Sequence, residues 1–147
     1  MGGFSMTIDD QLAVDSIRKV MARYTIAGDE YEAEPYLSCF SEKAVLEFDY
    51  FPGKGHLLLE GKQAIKQHVS EFFGALKSGE FQLPGKFARH HLTTCKIDLI
   101  SETQAEAQTY CIVCTANGAE HSGRYLDRFH QVDGEWLIEY RRWAIER

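Results

Sequence analysis

The feature that most constrains this chain is a change of period. From Phe87 onward apolar and polar residues alternate, and four such runs follow one another at about 87 to 100, 104 to 117, 119 to 132 and 135 to 145. They are parted by Ser101-Glu102, Asn117-Gly118 and Asp133-Gly134. Alternation at period two belongs to strands with one buried face, and short polar breaks of this kind are hairpin turns. The second half of the chain is therefore predicted to be an antiparallel meander.

The first half keeps a different spacing. Between Asp9 and Ala27 apolar residues fall at Leu12, Ala13, Ile17, Val20, Met21, Tyr24 and Ala27, three and four apart, as on an amphipathic helix. Thr7 and Asp10 form a capping box at its start, and Gly28 is expected to end it, which puts Asp29 just past the helix. A short helix over about Glu32 to Phe40, a strand over Val45 to Tyr50 and a break at Pro52, Gly53 and Gly55 follow. A strand over His56 to Glu60 and a helix over Lys62 to Leu76 complete this half, the helix burying Ile65, Val69, Phe72, Phe73 and Leu76. Helices first and a meander afterwards give an α+β fold, one long, curved, mostly antiparallel sheet wrapped on N-terminal helices as a cone-shaped barrel. At 147 residues this makes one domain, with residues 1–8 as a loose leading segment.

Charge removes several function classes. A net charge of -6, without any dense cluster of lysine and arginine, repels a phosphate backbone and argues against a nucleic-acid partner. No stretch approaches the roughly 20 apolar residues that span a bilayer, and no basic start leads into an apolar run, so a cytoplasmic location away from membranes is expected. Cys39, Cys95, Cys111 and Cys114 read as reduced thiols in a chain with core enough to fold without staples. Cys111 and Cys114 lie in a β-forming run where positions three apart face opposite ways, which argues against a metal there.

Three stretches together resemble the SnoaL-like branch of the nuclear transport factor 2-like superfamily. They are RYTIAGDEYEAEPYLSCFSEKAVLEF from Arg23, RHHLTTCKIDL from Arg89 and GRYLDRFHQVDGEWLI from Gly123. In the dehydratases and dehydrochlorinase of that branch, an aspartate after the first helix pairs with a histidine on the third strand, and the histidine takes a proton from carbon. The resemblance carries those roles to Asp29 and His90. His90 is preferred to His91 because Thr93-Thr94 stand where the family has Thr-Asn, three and four places on. It also points to Tyr50, on a strand that carries a substrate-activating tyrosine in one dehydratase. That enzyme's tyrosine before the aspartate is replaced here by Gly28, and its second histidine, on the fourth strand, has no counterpart. The resemblance implies no organic cofactor and a homodimer or homotrimer formed through the exposed sheet face.

The residues suit that chemistry. Histidine begins with a pKa near neutrality, and a carboxylate on one ring nitrogen fixes the tautomer that leaves the other free. A tyrosine hydroxyl such as that of Tyr50 can hold developing negative charge in an apolar pocket. If Gly123 faces the cavity, His121, Tyr125 and Asp127 share its face, and His121 is placed to act as a general acid. Tyr24, His121 and Tyr125 are the residues expected to contact substrate. His56, His68 and His130 are read as surface residues and His91 as structural. A metal would need His90, His121, Asp29 and Asp127 to converge, and none is expected. The expected function is a lyase acting on a small apolar or aromatic molecule. An isomerase or cyclase with the same base, and a non-catalytic binding or assembly module, are the alternatives.

Overall fold

The computed structural model describes residues 5–83 and 85–146. Helix α1 runs Ile8–Glu30, and its capping box is formed as the sequence requires. The Asp10 amide donates to Thr7 Oγ1 at 3.0 Å and the Thr7 amide to Asp10 Oδ2 at 3.1 Å. Thr7 and Ile8 thus belong to the domain, and residues 1–4 of the expected loose segment lie outside the described residues. The helix does not stop at Gly28. It runs to Glu30 and ends on Tyr31, which takes the left-handed conformation at φ 59° while its ring packs 6.0 Å from Phe73. Asp29 therefore sits inside the last helical turn. The expected core position Leu12 is 58% exposed, because the buried stripe begins only at Ile17.

After α2 (Ala33–Leu37) come β1 (Phe40–Phe51), β2 (Gly55–Glu60), α3 (Lys62–Ser78), β3 (Arg89–Leu99), β4 (Gln104–Thr115), β5 (Gly118–Val132) and β6 (Glu135–Glu146). The six strands make one curved sheet in the order β2-β1-β6-β5-β4-β3, antiparallel everywhere except between β1 and β6. The β5-β6 hairpin turns on Asp133 and Gly134, both with positive φ, the conformation a two-residue hairpin favours.

Alternation along β4 is strict: Ala105, Ala107, Thr109, Cys111 and Val113 are buried, and the residues between them from Gln104 to Ile112 are exposed. Those inward residues meet Ile17, Val20, Met21 and Tyr24 of α1 and Ile65, Val69 and Phe73 of α3 in a single core. His68 belongs to that core too. Read as a surface residue, it is 7% exposed, edge-on to Phe51 at 4.9 Å and stacked on Phe72 at 6.0 Å. Burial pulls its pKa down to about 4. No helix among the described residues is long and apolar enough to cross a membrane.

Candidate active site

The last turn of α1 and the start of β3 bring together Asp29 and His90, 61 residues apart in sequence. His90 Nδ1 lies 2.7 Å from Asp29 Oδ1, and the His90 backbone amide donates to Asp29 Oδ2 at 3.1 Å. A carboxylate oxygen accepts, so Nδ1 carries the hydrogen, and in the neutral ring Nε2 is the nitrogen that bears the lone pair. Beside this contact Arg89 reaches Glu30 at 3.2 Å, so two consecutive residues of the helix end hold two consecutive residues of the strand. The His90 side chain is 32% exposed and that of Asp29 only 8%. The orienting carboxylate is covered while the imidazole meets solvent, and among the described residues Nε2 has no protein partner. His91 points outward, as alternation demands.

Register decides what stands beside the pair. His90 is opposite Val113, and Val113 is opposite His121, so both histidines occupy one row across β3, β4 and β5. In the next rows Gly123 pairs Cys111, and Tyr125 pairs Trp143. The Trp143 indole lies over Gly123, where an added Cβ would meet the ring at 2.8 Å and the Ala144 carbonyl oxygen at 2.6 Å. Gly123 faces the interior because only a residue without a side chain leaves that room. The Trp143 ring centre is 6.2 Å from those of His90 and of His121, and 4.8 Å from that of Tyr125. Tyr24 is edge-on to Tyr125 at 5.8 Å. Both tyrosines are more than nine-tenths buried, and burial raises their pKa values. Cys111, on the same inner face, is pushed up to about 12 by burial, which keeps it a thiol rather than a nucleophile.

Asp127, expected to face the same cavity, does face inward, but it is occupied. Arg141 grips it through Nε at 2.7 Å and Nη2 at 2.8 Å, with both side chains fully buried. The guanidinium is flanked by the rings of Tyr125 at 4.0 Å and Tyr24 at 4.3 Å, and its Nη1 has no partner among the described residues. Burial alone would lower its pKa; Asp127 more than offsets this and leaves it above the ordinary value. Arg141 and Trp143 were missed because strict alternation from Trp136 and Ile138 points to Tyr140 and Arg142. The register slips by one residue opposite Arg128 and Phe129, and the inward face moves to Arg141 and Trp143.

Tyr50 does not join the group. A register shift between Phe48 and Phe51 turns Phe51 inward and leaves Tyr50 48% exposed, away from the inner face. Two concavities of about 290 and 330 Å³ are found elsewhere. The first lies on the outer sheet face among Lys96, Glu106, Leu126, Arg128 and Tyr140, and the second on the β4-β5 hairpin. Among the described residues no three histidine, cysteine or acidic side chains are grouped to hold a metal ion.

A model of the SnoaL-like domain matches residues 10–142. No curated protein matches the chain. Among solved structures, a hexachlorocyclohexane dehydrochlorinase of LinA type 3 from Novosphingobium barchaimii superposes with a TM-score of 0.73 at 12% identity, over 95% of this chain and 90% of the other. A proposed scytalone dehydratase from Novosphingobium aromaticivorans gives 0.74 at 22% identity, over 97% and 89%. A cystatin-like protein of unknown function from Nostoc punctiforme gives 0.72 at 20% identity, over 97% and 96%. At these identities the likeness is one of fold.

Proposed function

The chain belongs to the SnoaL-like domain family, and from that premise we propose that it is a cofactor-independent lyase whose base is His90, oriented by Asp29. The observation that carries this reading is the 2.7 Å contact between His90 Nδ1 and a covered carboxylate, with Nε2 left unpartnered on a partly exposed ring. Asp29 fixes the tautomer and stabilises the imidazolium formed when a proton arrives from carbon. With Trp143 6.2 Å from the His90 ring and Val113 its register partner, the base would act on a small, apolar or aromatic molecule. Tyr125 packs against Trp143, and Tyr24 packs against Tyr125. Structural neighbours named as a dehydrochlorinase and a proposed dehydratase make elimination the reaction to try first.

The test uses a panel of cyclic and aromatic β-hydroxy and β-halo carbonyl compounds, followed by solvent deuterium uptake at the acidic carbon. The wild type should eliminate or exchange, and His90→Ala and Asp29→Asn should each lose about 10²-fold or more. Exchange without elimination would favour the isomerase or cyclase. Neither reaction, with tight binding retained in His90→Ala, would leave the non-catalytic binding module.

The outer sheet face carries Tyr110, Ile112 and the 290 Å³ groove, and we propose a second copy of the chain there. Light scattering that gives a dimer or trimer, and a monomer for Ile112→Asp, is the expected result.

A further inference from the structure

The outer face of the sheet carries two charges that the chain itself leaves unanswered. Every other arginine on the described strands is held by an acid: Arg89 by Glu30, Arg124 by Glu146, Arg141 by Asp127 and Arg142 by Asp49. Arg128, exposed on β5, has no acid partner among the described residues. Its guanidinium lies over the ring of Tyr140, its register partner on β6, at 4.9 Å. That ring is fixed in turn, since the Tyr140 hydroxyl donates to Glu47 and His56 Nε2 stands 2.7 Å from the same carboxylate. On its other side Arg128 is opposite Glu106 of β4, and Glu106 is opposite Asp98 of β3. Like charges directly opposite on neighbouring strands repel. Lys96 relieves Asp98 at 3.5 Å, whereas Glu106 has no basic partner among the described residues. An arginine that leans away and a glutamate set beside a second acid thus border the same 290 Å³ groove, with Leu126 between them and Lys96.

We propose that two copies of the chain meet here about a twofold axis, each Arg128 reaching Glu106 of the other. This rests on the outer sheet face being where copies meet, and it narrows that face to one patch used twice. Arg128 and Glu106 are register partners with Cβ atoms about 5 Å apart, one on each side of the β4-β5 seam. An axis that lies between the two sheets and runs along that seam exchanges the two positions, so a single rotation makes both ion pairs. Stacked sheets stand about 10 Å apart, a gap that an arginine and a glutamate cross together. The same rotation sets Tyr110 and Ile112, 44% and 39% exposed, against Arg124 and Ser122 of the second copy, which takes both apolar side chains out of water. A surface with one charge of each sign at exchanged positions is complementary to itself.

The test is charge reversal, read by light scattering and sedimentation over a dilution series. Glu106→Arg puts arginine against arginine at both contacts and Arg128→Glu puts glutamate against glutamate. Each should raise the dissociation constant of the dimer about 10²-fold or more. Mixing these two variants should restore a dimer with one chain of each, because both contacts then join opposite signs. The double variant Glu106→Arg with Arg128→Glu should pair with itself and refuse wild type. Both positions are exposed, and thermal melting of every variant checks the fold. Where a reversed charge unfolds the chain, Glu106→Gln and Arg128→Gln carry the test, each weakening the dimer about 5-fold. Reversed variants that stay dimeric would overturn the ion pairs, and Ile112→Asp then shows whether the face itself stands. A wild-type trimer, or a mixture of reversed variants that stays monomeric, would overturn the twofold axis. A monomeric wild type would overturn the outer-face pairing and this contact with it.

Discussion

Asp29-His90 and Asp127-Arg141 have the same shortest contact, 2.7 Å, yet they sit in opposite surroundings. Asp127 and Arg141 are register partners on adjacent strands, sealed at 0% exposure and sandwiched between two tyrosines. Asp29 and His90 join a helix end to a strand start, with the imidazole 32% exposed. A guanidinium does not give up its proton, so the sealed pair can organise a core but cannot turn over a proton. An imidazole can do both. Bond length does not separate a structural pair from a reactive one; access and the ability to titrate do.

Breaking the sealed pair should have the largest effect. Arg141→Met removes the guanidinium and leaves Asp127 buried without a counter-charge, which should cost about 3–5 kcal/mol in urea unfolding. Replacing both members, as in Asp127→Leu with Arg141→Met, should recover most of that loss, since a well-packed apolar pair needs no desolvation. A single substitution costing under about 1 kcal/mol would show that water reaches Asp127, and the contrast between the pairs would vanish.

The two pairs were unequally legible in the sequence. The helical spacing before Gly28 and the alternation after Phe87 give the fold in outline, because each period reports which face is buried. Asp29 and His90 stood out through resemblance to a family. A helix-end acid and a strand histidine have no local signal that they will meet across 61 residues. Arg141 and Trp143 were hidden by a one-residue slip, and a slip reverses every inward assignment beyond it. The same effect misplaced Tyr50, beyond the irregularity at Phe48 and Phe51. A hint for Arg141 was present: Asp127 alternates inward with Tyr125 and Phe129, and a buried carboxylate demands a cation nearby. His68 was misread because α3 turns an additional position toward Phe51 and Phe72.

His68 sharpens the comparison as a buried titratable group without an acid in contact. Its pKa falls from 6.5 to about 4, through burial first and Lys54 second. The unfolded chain therefore binds more protons between these values, and stability present above pH 6.5 is lost as pH falls toward 4. The loss is at most about 3 kcal/mol, from about 1.4 kcal/mol per pKa unit. Wild type should lose stability relative to His68→Leu as pH is lowered over this window; parallel curves would mean that His68 is solvated. Gly123→Ala comes next, at about 1–3 kcal/mol, because its Cβ would press on the Trp143 ring and the Ala144 carbonyl. A neutral melt for that variant would show that the indole slides freely over Gly123.

The smallest effect on stability is expected where the effect on reactivity is large. Asp29→Asn keeps an oxygen that can accept from the His90 amide and leaves no buried charge behind, so unfolding should shift by only about 1 kcal/mol. Histidine at position 90 can also turn to solvent when its partner weakens, which Arg141, at 0% exposure, cannot do. A loss of 3 kcal/mol or more would place Asp29-His90 in the same class as Asp127-Arg141, a strap between α1 and β3. Any fall in turnover for that variant would then report the strap rather than the base. A loss near 1 kcal/mol, with turnover down 10²-fold or more, assigns the carboxylate to the chemistry, because a fold that is nearly as stable has lost only the orientation of one imidazole.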